Sequence, residues 1–202
     1  MSNMEKITII FGTVMGSAEG CALKISERLT ACKLENEVID MEDYDHARLP
    51  QEKLLIVATS TTGNGVPPNN ALALHSHLTN DKPDVTGITF AVLSLGDSFR
   101  ALYAQCGKDF DRMLEELGGS RIIDRIDCDG VVEAPLQQFL DNLLNYFERE
   151  KDKYPTFVRA DPPKESVPER GSSSNNPNPK LQKKSIISRI KRRIIGRIRR
   201  FL

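Results

Sequence analysis

The residues of this chain best suited to chemistry are hydroxyls and glycines gathered in turns. Thr13-Val14-Met15-Gly16-Ser17-Ala18 follows the apolar run Ile7-Thr8-Ile9-Ile10-Phe11, and a helical pattern opens directly behind it. A turn so placed sits at a helix N-terminus, where unpaired N–H groups and the positive end of the helix dipole attract an anion. Thr13 and Ser17 add hydroxyl donors, and Gly16 lets the backbone approach a ligand closely. A phosphate suits that turn; the alternative is an ordinary strand-to-helix turn that binds nothing. The spacing is neither the nucleoside-triphosphate pattern, since no Lys-Ser/Thr follows the glycines, nor the dinucleotide pattern, since no GxGxxG can be drawn.

Two further turns have the same character. Ser60-Thr61-Thr62-Gly63-Asn64-Gly65-Val66-Pro67-Pro68-Asn69-Asn70 follows the run Leu54-Leu55-Ile56-Val57-Ala58, and Leu95-Gly96-Asp97-Ser98-Phe99 follows Ile88-Thr89-Phe90-Ala91-Val92-Leu93-Ser94. Covalent and metal chemistry have no comparable signal. No Ser, Thr or Cys stands in a nucleophile-elbow pattern. His75 and His77, two apart on a helix, point different ways and are expected to be solvated. Cys21, Cys32, Cys106 and Cys128 lack metal or disulfide spacing and are expected to be reduced packing residues.

The elements that position these turns read as alternating strand and helix. Ala22, Ile25, Leu29 and Cys32 repeat at helical steps after the first turn. A short strand is expected at 37–41 and a helix over 71–78. A third helix should carry Leu102, Cys106, Phe110, Met113, Leu114 and Leu117, stopped by Gly118-Gly119. Arg121-Ile122-Ile123-Asp124 is expected to form the last strand, and Leu136, Phe139, Leu140, Leu143 and Phe147 the last helix of the body. Such alternation implies right-handed crossovers and a parallel sheet between helical layers. Ligands of such sheets sit beyond the carboxyl ends of the strands, so the three turns should line one pocket.

Taken together, the three turns resemble the flavodoxin-like FMN-binding domain, above all the FMN modules of diflavin reductases of the methionine synthase reductase and sulfite reductase flavoprotein type. The likeness covers roughly residues 5–150 and includes Gly107-Lys108 and Leu114-Glu115-Glu116-Leu117-Gly118. It implies an α/β three-layer sandwich with a five-stranded parallel sheet of order 2-1-3-4-5. It further implies that Thr13, Val14, Met15, Gly16, Ser17 and Ala18 hold the FMN phosphate. Ser60, Thr61, Thr62, Gly63, Asn64 and Gly65 would then line one side of the flavin ring, and Leu95, Gly96, Asp97, Phe99, Arg100, Tyr103 and Gln105 the other. Asp129 matches an acidic position near the ring. Three positions depart from the family pattern: Met15 stands where a Thr is usual, Thr62 where an aromatic is frequent, and Arg100 where a Tyr is nearly universal. A cation at Arg100 would favour the anionic reduced flavin.

The net charge of zero conceals an asymmetry. Ten Lys/Arg and no acid fall in residues 180–202, leaving 18 Lys/Arg against 28 Asp/Glu in residues 1–179. An acidic body can steer a positively charged redox partner. From 159 onward Pro, Ser and Asn predominate without apolar periodicity, the composition of a linker. Beyond it, Ile186, Ile187, Ile190, Ile194, Ile195 and Ile198 share one face of a helical pattern whose other faces are Lys and Arg. That combination describes an interfacial helix on an anionic membrane. Nucleic acid would reward the cations but not the isoleucines, and a partner-protein groove or the acidic body itself are the other occupants.

The expected organisation is an FMN domain at 1–154, a flexible linker at 155–180 and a cationic amphipathic helix at 181–202. The expected function is FMN-dependent electron transfer: a cytoplasmic shuttle accepting electrons from a separate flavin reductase and passing them to an acceptor protein, tethered by its tail. No signal segment or membrane-spanning run is recognised. The competing reading is an adaptor that keeps the fold without the flavin.

Overall fold

The computed structural model describes residues 6–160. The basic segment and most of the expected linker lie outside the described residues. Among those described, no helix is long and apolar enough to cross a membrane.

In chain order the elements are β1 (Ile7–Gly12), α1 (Ser17–Ala31), β2 (Asn36–Asp40), a 3-10 turn (His46–Gln51), β3 (Leu54–Ser60), α2 (Leu72–Asn80), β4 (Thr89–Gly96), α3 (Gln105–Glu116), β5 (Ser120–Arg121), β6 (Ile126–Asp129) and α4 (Glu133–Arg149). The sheet is parallel in the order β2-β1-β3-β4-β5, with β6 also paired to β4. This is the expected sheet, with its fifth position split in two.

The central strands are apolar on both faces because helices cover both. Ile7, Ile9, Phe11, Leu54, Ile56, Ala58, Ala91 and Leu93 pack into one core with residues of α1 and α4. The alternate residues Ile10, Leu55, Val57, Phe90 and Val92 pack into the other with α2 and α3. At about 1.5–3 kcal/mol per fully buried aliphatic side chain, these paired cores fix the strand ends from which the three turns spring. Packing against the first core continues past α4: Phe157 is buried there, and Val158 N–H donates to Cys32 O at 3.0 Å.

The split of the last strand corrects the sequence reading, which put one strand at 121–124 and Asp127-Cys128-Asp129 after it. Arg121 Nε and Arg125 Nη1 both donate to the buried carboxylate of Asp111 on α3, at 2.7 and 2.9 Å. Backbone bonding to β4 extends to Ile122, whose N–H donates to Phe90 O at 2.9 Å, and pairing resumes at Ile126, with the two arginines sharing one carboxylate on either side of the break. Leu102 also differs from expectation: it precedes α3, which begins at Gln105 after Ala104 in a left-handed conformation (φ 57°).

Candidate functional site

Parallel register brings the turns to one rim. Gly12 pairs with Thr59, Ser60 with Leu95, and Gly96 with Asp129, so β1, β3, β4 and β6 all end at the same edge. Gly12 allows the crowding there, since a Cβ on it would lie 2.8 Å from Ala71 Cβ.

The first turn is preorganised for an anion. Gly16, at φ 85°, precedes α1 in the left-handed region, and its N–H donates to Thr13 Oγ1 at 3.0 Å. Among the described residues no side chain caps α1, so the N–H groups of its first turn remain open to a ligand. Support comes from other loops. Thr13 N–H donates to Asn70 Oδ1 at 2.9 Å, and Asn70 Nδ2 donates to Asp40 Oδ1 at 2.9 Å. One amide side chain from the loop after β3 thereby ties the ends of β1 and β2.

The second turn closes on itself. Thr62 and Val66 exchange backbone hydrogen bonds of 2.8 and 2.9 Å across Gly63 and Gly65, both at positive φ. It is fastened to β4 by Thr61 N–H donating to Leu95 O at 2.9 Å, and to α3 by Cys106 N–H donating to Thr61 Oγ1 at 3.1 Å. The third turn is fastened from beneath by Asp129, whose carboxylate accepts from Ser98 N–H at 2.9 Å and from Ser98 Oγ. These bonds from Ser98 lower the Asp129 pKa. Asp97 Oδ1 accepts from Phe99 N–H at 3.0 Å, and Arg100 faces Asp97 at 3.8 Å.

Between the second and third turns lies an open cleft of about 170 Å³ lined by Thr61, Gly63, Asp97, Arg100, Leu102, Tyr103 and Ala104. Its floor is tight: a Cβ on Gly96 would stand 2.7 Å from Ala104 N. Around it the rim is apolar and exposed, with Met15 91% and Phe99 95% accessible, and Val14, Val66 and Val131 also outside. A larger cavity, of about 330 Å³, lies between α2 and α3 among Leu78, Lys82, Arg112 and Met113, at the opposite edge of the sheet from these turns.

The flavodoxin family model matches residues 9–140. The chain belongs to the flavodoxin family. It is 42% identical over 139 residues to the sulfite reductase [NADPH] flavoprotein alpha-component of Escherichia coli, a match covering 68% of this chain and 23% of that protein. The chain thus spans about a quarter of the length of the curated relatives it matches. Among solved structures it is similar to an oxidised flavodoxin of Bacillus cereus, with a TM-score of 0.64 and 25% identity, covering 71% of this chain and 97% of that one. A mutant flavodoxin of Pseudomonas aeruginosa gives a TM-score of 0.59 and 27% identity, covering 68% of this chain and 98% of that one.

FMN is the cofactor of this family, and two features at one edge of the sheet fit a flat, singly phosphorylated ligand: the α1 terminus behind Gly16, uncapped among the described residues, and the cleft between the second and third turns. The sequence-expected residues divide by what their side chains do. Thr13, Val14, Met15, Gly16 and Ser17 form the first turn, whereas Ala18 is buried in the core and offers only backbone. Ser60 Oγ is turned to Gly12 O at 3.4 Å. Thr61, Gly63, Asp97, Arg100 and Tyr103 line the cleft, and Thr62, Asn64, Gly65 and Phe99 belong to the turns bordering it. Leu95 is a core residue, and Gln105 Nε2 donates to Asp109 at 2.9 Å.

Asn70 and Ser98 are members of the expected turns, but neither their fastening role nor Asp40, the last residue of β2, is marked by the sequence pattern: the role of each depends on a partner 30 or more positions away. The histidines are packed instead of solvated. His77 stacks on His46 with ring centroids 5.1 Å apart and bonds Asp81, and His75 sets its edge against Phe110. All four cysteines are buried and free, as expected. Burial pushes the Cys106 thiol, just under the cleft, up to about 12, so it stays protonated and is no nucleophile.

Proposed function

We propose that this domain binds FMN at the rim and exchanges electrons there with protein partners. The observation that carries the reading is the convergence of an open helix N-terminus behind Gly16 with a cleft between Thr61 and Tyr103. Bound FMN would supply one- and two-electron chemistry. Residues of the first turn hold the phosphate through N–H groups and the Ser17 hydroxyl, while Thr61, Gly63, Asp97, Arg100 and Tyr103 flank the ring.

The cleft is smaller than the roughly 300–1,000 Å³ of enclosed ligand pockets, which favours a ring with one edge outside. An exposed edge bordered by Val14, Met15, Phe99 and Val66 suits brief contact with a reductase and an acceptor, since exposed apolar patches mark protein contact sites. The acidic body would steer basic partners toward it. We further propose that residues 183–202 bring the domain to an anionic membrane surface; the Ile/Arg pattern of the sequence is the support.

Titration of the full chain with FMN, followed by flavin absorbance and fluorescence, tests the first reading. Stoichiometric uptake is expected; a colourless protein that takes up no added FMN overturns it and favours the adaptor. Flotation with anionic liposomes tests the tail, and equal binding by the full chain and one ending at Pro179 overturns the tether.

A further inference from the structure

We infer that Arg100 sets the relative affinity of the site for reduced over oxidised flavin, an inference that rests on the FMN reading above. Among the residues lining the cleft, Arg100 is the one cation and Asp97 the one acid. Its guanidinium makes no hydrogen bond within the described residues. Its single ion contact among the described residues, Nε to Asp97 at 3.8 Å, joins two side chains that are each more than half exposed, so the pair is weak. The other rim carboxylate, Asp129, is engaged by Ser98. Arg121 and Arg125, by contrast, are each locked on two carboxylates. Arg100 is therefore the cation of this region left free to turn toward a ligand.

Charge decides what it would do there. Two electrons and one proton, delivered by an external reductant, convert the neutral oxidised ring into a reduced ring bearing one negative charge. A guanidinium beside the ring attracts the reduced form and is nearly indifferent to the oxidised one, so it favours reduction. Its planar face can also lie along the ring, which a lysine ammonium cannot do. Asp97 opposes it, both by pairing with Arg100 and by repelling the reduced ring.

The test uses the full chain loaded with FMN, titrated with dithionite against a reference dye, beside Arg100→Gln, Arg100→Lys and Asp97→Asn. Arg100→Gln is expected to lower the preference for reduced over oxidised flavin about 10-fold, equivalent to about 30 mV for a two-electron couple. Asp97→Asn should move it the opposite way, and Arg100→Lys should keep part of the effect. The difference between wild type and Arg100→Gln should shrink in 1 M salt, as exposed charges are screened. Unaltered circular dichroism checks that each variant folds. FMN bound by both proteins at the same potential overturns this inference and leaves the function standing. A wild-type chain that binds no FMN overturns the function itself, and this inference with it.

Discussion

Between β1 and α1 the turn is held by backbone geometry and by Asn70, reaching across from the second loop to Asp40 at the end of β2. Between β4 and α3 the chain is fastened at its start by Asp129 and Asp97 and at its end by Ser94 and Lys108, which donate to Ala104 O and Tyr103 O, and between these points it presents Phe99 and Arg100 to solvent. The first arrangement suits a phosphate, whose fixed charge and size reward donors already in place. The second suits a ring whose charge changes with its redox state and whose edge must meet other proteins. On the proposed reading, anchoring and tuning fall to different turns of one rim.

The largest test of that division is Gly96→Ala. Its Cβ would collide with the backbone of Ala104 and the Tyr103 ring. It should therefore cost about 1–3 kcal/mol of stability, read as a lower denaturant midpoint, and abolish flavin uptake. Gly63→Ala meets open space and bears only its positive φ of 48°, so it should cost about 1–2 kcal/mol. If both behave alike, the floor of the cleft is not what holds the third turn.

Asn70→Ala comes next. It leaves Thr13 N–H and the Asp40 carboxylate without their partner, and FMN affinity should fall about 10-fold in an FMN titration. An unchanged affinity would mean that the first turn stands without its buttress. A smaller effect of opposite sign is expected for Met15→Thr, which places a hydroxyl at an exposed position of that turn. One added neutral hydrogen bond to phosphate should tighten FMN about 3-fold.

Acid should loosen the third turn alone. Hydrogen bonds from Ser98 depress the Asp129 pKa, so the contribution of this clamp is complete above the ordinary carboxylate value near 4. It is lost as pH falls through the lower folded-state value. Amide-exchange protection of Ser98 should therefore decline below about pH 4, while Thr13, held by the non-titrating Asn70 amide, keeps its own. Equal loss at both would erase the contrast between the turns.

Much of this molecule was legible as pattern. Apolar runs ending in Gly/Ser/Thr turns located β1, β3 and β4, and helical spacing found α1, α3 and α4, because burial on both faces of a sheet or along one stripe of a helix leaves a periodic trace. The order of the strands came from the resemblance of the three turns to the flavodoxin pattern, since periodicity does not say which strands are neighbours. Arg121 read as an ordinary member of a strand at 121–124, and only the structure shows that it shares Asp111, on the preceding helix, with Arg125. Asn70 looked like loop composition until Thr13 and Asp40 were beside it. The amino-acid order determined which segments must be buried and which turns could receive an anion. Long-range hydrogen bonds and ion pairs decided which turns are held and which side chains share a partner, because those partners are remote in the chain and meet only once the sheet has formed.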